Sequence, residues 1–600
     1  MSSTVLQRLA ALRAALSASG AAACIVPTAD PHLSEYLPAR WQAREWLSGF
    51  TGSAGTLIVG ADHAELWTDS RYFEQAGREL DGSGIALMRL RVAHAAEHID
   101  WLCDHLPAGA TVAVAGDSIS VAGARTLSAR LGEKGLQLRL DLDLPAQIWS
   151  DRPPLPAAPI RPHPSAYACA SRNERLTALR ASMHEAGATH HLISSLDDIA
   201  WLTLLRGGDV EYNPVFVAHL LLSDVTATLF VPAGKIDGSL AAELAADGIA
   251  LADYASVTAA LAGLPAAAHL LADPVRIAAA LGEVIPATVR RIEHANPSTA
   301  CKARKSVGEL DHWREVMRRD GAALVRGFRR IDERVRDGER LTELDVDDIV
   351  TGERALQPDF AGPSFATIAG YAANAALPHY RATPAHHAAL EARGLLLVDS
   401  GGQYLGGTTD ITRVWALGPT TTEERADFTR VLKGLIALSR AQFPAGASGP
   451  QLDALARAPL WAAAADYGHG TGHGVGYFLN VHEGPHGIRP PAPGGGLVPL
   501  ESGMISSIEP GLYRSGRHGV RHENLVAVRE ATGSEFGRFL GFETLTLCPI
   551  DTRALEPDLL DDIERAWLDA YHAEVRAALA PRLEGTDRAW LEARCTPLAG

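Results

Sequence analysis

The chain has no CxxC pair: its six cysteines, at 24, 103, 169, 301, 548 and 595, are scattered. That excludes a thiolate zinc site and a disulfide framework, and it fits a reducing, cytoplasmic compartment. Long apolar runs are missing as well. None approaches the roughly 20 residues needed to span a bilayer. Basic charge is in deficit, with 55 Lys plus Arg against 71 Asp plus Glu and a net charge of -16. A surface that acidic repels phosphate backbones, so nucleic acid is not an expected partner. The first twenty-odd residues are alanine-rich, carry Arg8 and Arg13, and hold no acid before Asp30. By composition they look like a presequence.

What is present overturns that last impression. RLAALRAALSASGAAACIVPTAD at 8–30 recurs in outline as RLTALRASMHEAGATHHLISSLD at 175–197. Leu9, Leu12 and Leu16 match Leu176, Leu179 and Met183, the stripe of an amphipathic helix, and a short strand follows each. Gly20 and Gly187 stand where a helix C-cap belongs. A cleavable leader would not recur in mid-chain, so the start of the chain is read as the first helix of a folded domain. Two copies imply two similar α/β domains.

Six hundred residues exceed one core and predict two to four domains. The stretch 144–165 carries seven prolines, at 145, 153, 154, 156, 159, 162 and 164, and is the clearest linker. The expected layout is a first domain at 1–150, a linker at 151–165, a second domain at 166–298 and a third at 299–600.

The third segment holds most of the chemistry. Asp399 in LLLVDSGG, Asp410 in GTTDITR, His473 in GTGHGVG, Glu509 in SIEPG and Glu523 in VRHENL each sit on or beside a glycine-bounded apolar run. The span from Asp399 to Asp410 is nearly symmetric about 404–405. A hairpin centred there would set the two aspartates opposite each other, with Cβ atoms about 4.5–5.5 Å apart. Two such carboxylates repel where water is excluded, and a cation between them turns the cost into binding. Four carboxylates and one imidazole favour hard or borderline ions, Mn²⁺ ahead of Zn²⁺ or Co²⁺. Up to eight oxygens suit two ions about 3.5–4 Å apart.

With these flanks the set resembles the pita-bread metallopeptidases: methionine aminopeptidase, prolidase and Xaa-Pro aminopeptidase (aminopeptidase P). NVHEGP at 480–485 and LPHY at 377–380 resemble the histidine motifs of the last. EWLSGFTGSAGTLIV at 45–59, WTDSRYFEQA at 67–76, DDIAWLTLLRG at 197–207 and YNPVF at 212–216 resemble its long, three-domain form. Ile508 and Leu512 depart from it, since relatives carry a polar residue before the glutamate and Tyr after the glycine.

The resemblance implies an α/β (α+β) chain: two related creatinase-like N-terminal domains followed by a pita-bread catalytic domain that opens with a helix at 306–337. It implies two metal ions held by Asp399, Asp410, His473, Glu509 and Glu523, with Asp410 and Glu523 bridging. It gives His379 and His482 a catalytic role at the scissile carbonyl, and adds His469 and Arg71 as substrate contacts, Arg71 toward a partner subunit in a homodimer. His486, His518 and His522 are read as packing or surface residues. The implied activity is release of an N-terminal residue that precedes proline. Prolidase is the alternative. Methionine aminopeptidase needs no front domains, and creatinase-like or peptide-binding relatives lack the metal ligands that this chain retains.

Overall fold

The computed structural model describes residues 2–91, 95–491 and 497–598. The chain forms two compact units, one running to His163 and continuing as Ala170–Thr299, the other made of Pro164–Cys169 and the chain from Ala300 onward. Among the described residues no helix is long and apolar enough to cross a membrane.

The sequence repeat is a structural repeat inside the first unit. The helices Ser2–Ser19 and Arg172–Glu185 precede the strands Ala23–Pro27 and His190–Ile193. Leu9, Leu12 and Leu16 are 0–2% exposed, and Leu176, Leu179 and Met183 likewise, because both stripes cover a sheet. Gly20 and Gly187 have φ of 73° and 75°, the left-handed conformation that ends a helix cheaply only in glycine. Each central strand pairs antiparallel with a hairpin on one side and parallel with a later strand on the other. Both sheets have six strands in the same spatial order. Of the proline-rich stretch, Leu144–Ile148 forms a short helix capped by Asp143, and Arg161–Pro162 pairs with Leu205–Arg206.

The second unit begins its main helix at Val307–Arg336, close to the expected 306–337. A capping box between Ser306 and Glu309 starts it. Trp313, Met317, Leu324, Phe328 and Ile331 form its buried stripe, while arginines on other faces pair with acids such as Glu315, Glu333 and Glu353. Antiparallel sheets lie at the centre of this unit. One orders Ile368–Tyr371, Leu395–Ser400 and Ile411–Ala416. Another orders Gln442–Pro444, Phe539–Thr544, Asn524–Glu530 and Ile505–Ile508. Leu395–Ser400 and Ile411–Ala416 are buried at every residue, so both faces are packed; Asp399 and Ser400 end the first strand, while Thr412 and Arg413 lie within the second.

Candidate metal centre

All five candidate ligands lie at strand ends of the second unit. Asp399 is the fifth residue of Leu395–Ser400, and Asp410 immediately precedes Ile411–Ala416. The register between these strands corrects the expected hairpin. Asp399 pairs with Thr412 and Ser400 with Ile411, while Tyr404 pairs with Gly407. The turn is therefore at Leu405–Gly406, and the aspartates are diagonal rather than directly opposed. Because side chains alternate with period two, Asp410 still shares the face of Thr412, and hence of Asp399.

His473 closes the two-residue strand Gly472–His473. Glu509 follows Ile505–Ile508, and Glu523 lies between His518–Arg521 and Asn524–Glu530. Ligand atoms of Asp410, His473 and Glu523 all lie within 4.8 Å of one another. His473 Nε2 is 3.5 Å from Asp410 Oδ2 and 3.3 Å from Glu509 Oε1. Burial would hold His473 down, but the carboxylates of Asp410 and Glu509 outweigh it and raise the imidazole to about 9. Burial first, then the charges of Asp410 and Glu509, push Asp399 up to about 7 despite the opposing Arg521. Glu523 is driven well above the usual range by burial and by Asp410, Asp399 and Glu509.

Beside burial, these shifts share a second cause: four carboxylates converge without enough positive charge. Asp399 Oδ1 and Glu523 Oε1 are buried with no hydrogen-bond partner. Unpartnered buried carboxylate oxygens in an oxygen-rich cluster are what divalent ions fit.

The surrounding residues fix the ligands, and composition could not reveal them. Arg521, 2% exposed, donates Nη2 to Asp399 Oδ2 at 2.5 Å, Nη1 to the Tyr513 hydroxyl at 2.7 Å and Nε to Thr412 Oγ1 at 3.1 Å. Asp399 thus keeps one oxygen for the guanidinium and leaves Oδ1 open. Thr412 Oγ1 donates to Glu523 Oε2 at 2.9 Å. Ser507 Oγ accepts from the His473 backbone N–H at 2.9 Å and donates to Glu509 Oε1 at 3.1 Å. Nearness to Glu523 in the R-H-E motif was the available signal for Arg521. Leu512 is a buried core residue, and Tyr513 beside it supplies a phenol to this network.

His469 Nε2 lies 2.8 Å from the Tyr513 hydroxyl, which links it through Arg521 to Asp399. The His482 ring stands edge-to-face with His473, centroids 4.4 Å apart. His379 is half-buried in the turn after the short helix Ala372–Ala376. Its loop is tied down by the fully buried Glu343. Oε1 of that residue accepts from Tyr371 N at 2.7 Å and Asn374 Nδ2 at 3.0 Å. Oε2 accepts from the Tyr380 hydroxyl at 2.8 Å and Ala388 N at 2.7 Å. Arg71 belongs to the first unit, where Asp69 grips its guanidinium with two bonds of 2.8 Å. His486, His518 and His522 are 5%, 3% and 0% exposed, so they are packing residues rather than surface ones.

Residues 312–530 match the model of metallopeptidase family M24, and 538–598 match the C-terminal region of that peptidase. Residues 8–138 and 151–309 each match a creatinase/prolidase N-terminal domain. Aminopeptidase P2 of Arabidopsis thaliana is 38% identical over 99% of this chain and 88% of its own. A probable Xaa-Pro aminopeptidase P of Laccaria bicolor is 38% identical over 99% of this chain and 93% of its own. The crystal structure of X-prolyl aminopeptidase from Caenorhabditis elegans, described as a cytosolic enzyme with a di-nuclear active site, superposes with a TM-score of 0.94. It is 32% identical over 99% of this chain and 100% of its own.

Proposed function

The chain belongs to metallopeptidase family M24, with two creatinase/prolidase N-terminal domains ahead of the catalytic one, and from that premise we propose that it is an Xaa-Pro aminopeptidase. The observation that carries the reading is the convergence of Asp399, Asp410, His473, Glu509 and Glu523, two of them with an unpartnered buried oxygen, in a chain similar to aminopeptidases P along its whole length. The full-length similarity favours this over the prolidase alternative.

Asp399 would hold one ion, His473 and Glu509 the other, with Asp410 and Glu523 serving both. Bound divalent ions, Mn²⁺ in this proposal, would supply a hydroxide at neutral pH and a Lewis acid for the carbonyl. The protein's own groups do the rest. Arg521 holds Asp399 by one oxygen and leaves the other buried without a hydrogen-bond partner. His482, beside His473, and His379, on the loop gripped by Glu343, donate hydrogen bonds to the carbonyl oxygen as negative charge develops there. His469, joined to Tyr513, lines the proline side. Arg71, with Asp69 as its local partner, contacts substrate held by a second subunit of a cytoplasmic homodimer.

An Xaa-Pro bond lacks an amide N–H and carries a fixed proline φ, so the site must recognise a ring and forgo that hydrogen bond. The test is kcat/KM for Arg-Pro-Pro, Arg-Ala-Ala and an Xaa-Pro dipeptide under the same Mn²⁺. The tripeptide with proline should be cut after its first residue and its N-acetylated form should be inert. Preference for the dipeptide would make the chain a prolidase, and equal cleavage of Arg-Ala-Ala would remove the proline pocket.

A further inference from the structure

Glu483 follows His482 directly and has its side chain fully buried. Two ammonium groups meet it: Lys302 Nζ donates to Oε2 at 2.9 Å and Lys305 Nζ to Oε1 at 2.5 Å. Both lysine side chains are 1% exposed. They come from the segment just before the helix Val307–Arg336, some 180 residues away in sequence (separations of 181 and 178). Burying three charges is costly, and apolar side chains of similar volume would fill the same space with equal or greater stability. What an apolar trio lacks is direction. Two lysines approaching different oxygens hold the carboxylate in one orientation, and with it the backbone of 482–483.

The other side of the loop is held as tightly. Glu483 N donates to Gly474 O at 2.7 Å, and a Cβ at Gly474 would stand 2.1 Å from the Glu483 carbonyl oxygen. Only glycine therefore lets the His482 loop lie against the His473 strand. Gln403 Nε2 fixes the Leu479 carbonyl at 2.7 Å. The imidazole between these anchors is the one that stands 4.4 Å from His473.

We propose that Glu483, pinned by Lys302 and Lys305, is a positioning residue: it sets the His482 backbone so that the imidazole meets the scissile carbonyl beside His473. The inference rests on the reading of His482 as a substrate-contacting group. It differs from the structural role of an ordinary buried ion pair because its effect passes through His482.

The experiment is a mutant cycle on the Mn²⁺-loaded full-length protein with an Xaa-Pro-Xaa tripeptide. Its variants are Glu483→Gln, the triple Lys302→Met, Lys305→Met, Glu483→Met, and His482→Ala, alone and combined. Misplacing a reacting contact by about 1 Å costs up to about 10²-fold, so Glu483→Gln and the triple variant should lower kcat about 10–100-fold. KM should stay within about twofold and metal content at the wild-type level. In the His482→Ala background the same changes should cost little more, because the group they position is gone. The triple variant should keep its Tm. If it does not fold, Glu483→Gln and Lys302→Met carry the same cycle.

Wild-type kcat in a folded triad variant would overturn the proposal, as would an undiminished loss on the His482→Ala background or a parallel loss of metal. Wild-type kcat in His482→Ala alone would instead overturn the reading of His482 itself, and the two failures are therefore distinguishable.

Discussion

Replacing Glu343 by glutamine exchanges one buried oxygen for an NH₂ group in a pocket where every neighbour is a donor. The carboxylate accepts from two backbone N–H groups, a phenol and an amide at 2.7–3.1 Å. Whichever oxygen is lost, a buried backbone N–H, of Tyr371 or of Ala388, faces another donor. A hydrogen bond to a charged group contributes about 1.5–3 kcal/mol, and an unpaired buried donor costs about 1–3 kcal/mol. The change should therefore destabilise the unit by about 2–4 kcal/mol. At about 2 °C per kcal/mol for a unit this large, Tm falls by about 4–8 °C.

Tyr371, Asn374, Tyr380 and Ala388 bracket His379, so kcat on an Xaa-Pro-Xaa tripeptide should also fall about 10–100-fold. Glu343 touches none of the five candidate ligands, and bound metal per chain should be unchanged. Scanning calorimetry, metal analysis and steady-state kinetics on one Mn²⁺-loaded preparation test all three. A Tm within about 1 °C of wild type would refute the hydrogen-bond reasoning. Loss of metal at unchanged Tm would place Glu343 in the wrong part of the site.

Three further outcomes follow from the same geometry. Asp410→Ala or Glu523→Ala should abolish activity and lower bound metal, read by elemental analysis, and two ions per chain in the Asp410→Ala variant would refute the bridging role. Glu523→Gln should raise Tm in chelator and lower it with Mn²⁺, since Oε1 is buried without a partner until an ion arrives; a fall in both conditions would count against the cluster. Asp427 is fully buried, and the pairing of Arg514 and His518 outweighs burial to hold it down at about 2. A depressed carboxylate contributes fully above its unfolded value near ~4 and loses that contribution as pH falls through the folded value, so Asp427→Asn should cost about 2 kcal/mol at pH 7 in urea unfolding and progressively less below pH ~4.

Much of the fold was legible because it rests on local pattern. The stripes Leu9–Leu12–Leu16 and Leu176–Leu179–Met183, each closed by a left-handed glycine, announce a helix and a following strand at two places. The duplicated sheet follows from that repetition. The five ligand candidates were legible because each is a polar residue on or beside a glycine-bounded apolar run, a position that has to be accounted for. The hairpin register was not. Symmetry of the sequence between Asp399 and Asp410 suggested a turn one residue too early, and turn position depends on pairing across the whole sheet, here extended to Ile368–Tyr371.

Residue types, strand ends and the repeat, and through family resemblance a reaction class, could be read from the chain alone, because these depend on short-range periodicity and on contiguous motifs. Which residue holds which emerged only from the packed fold. Arg521 against Asp399, Glu343 under the His379 loop, and Lys302 with Lys305 on Glu483 join residues 122, 28–45 and 178–181 positions apart. Their side-chain chemistry is common to dozens of other arginines and glutamates and to the other lysines of the chain. What sets them apart is burial, and these three buried charges take their partners from what the packed sheets bring within about 3 Å rather than from their neighbours in sequence.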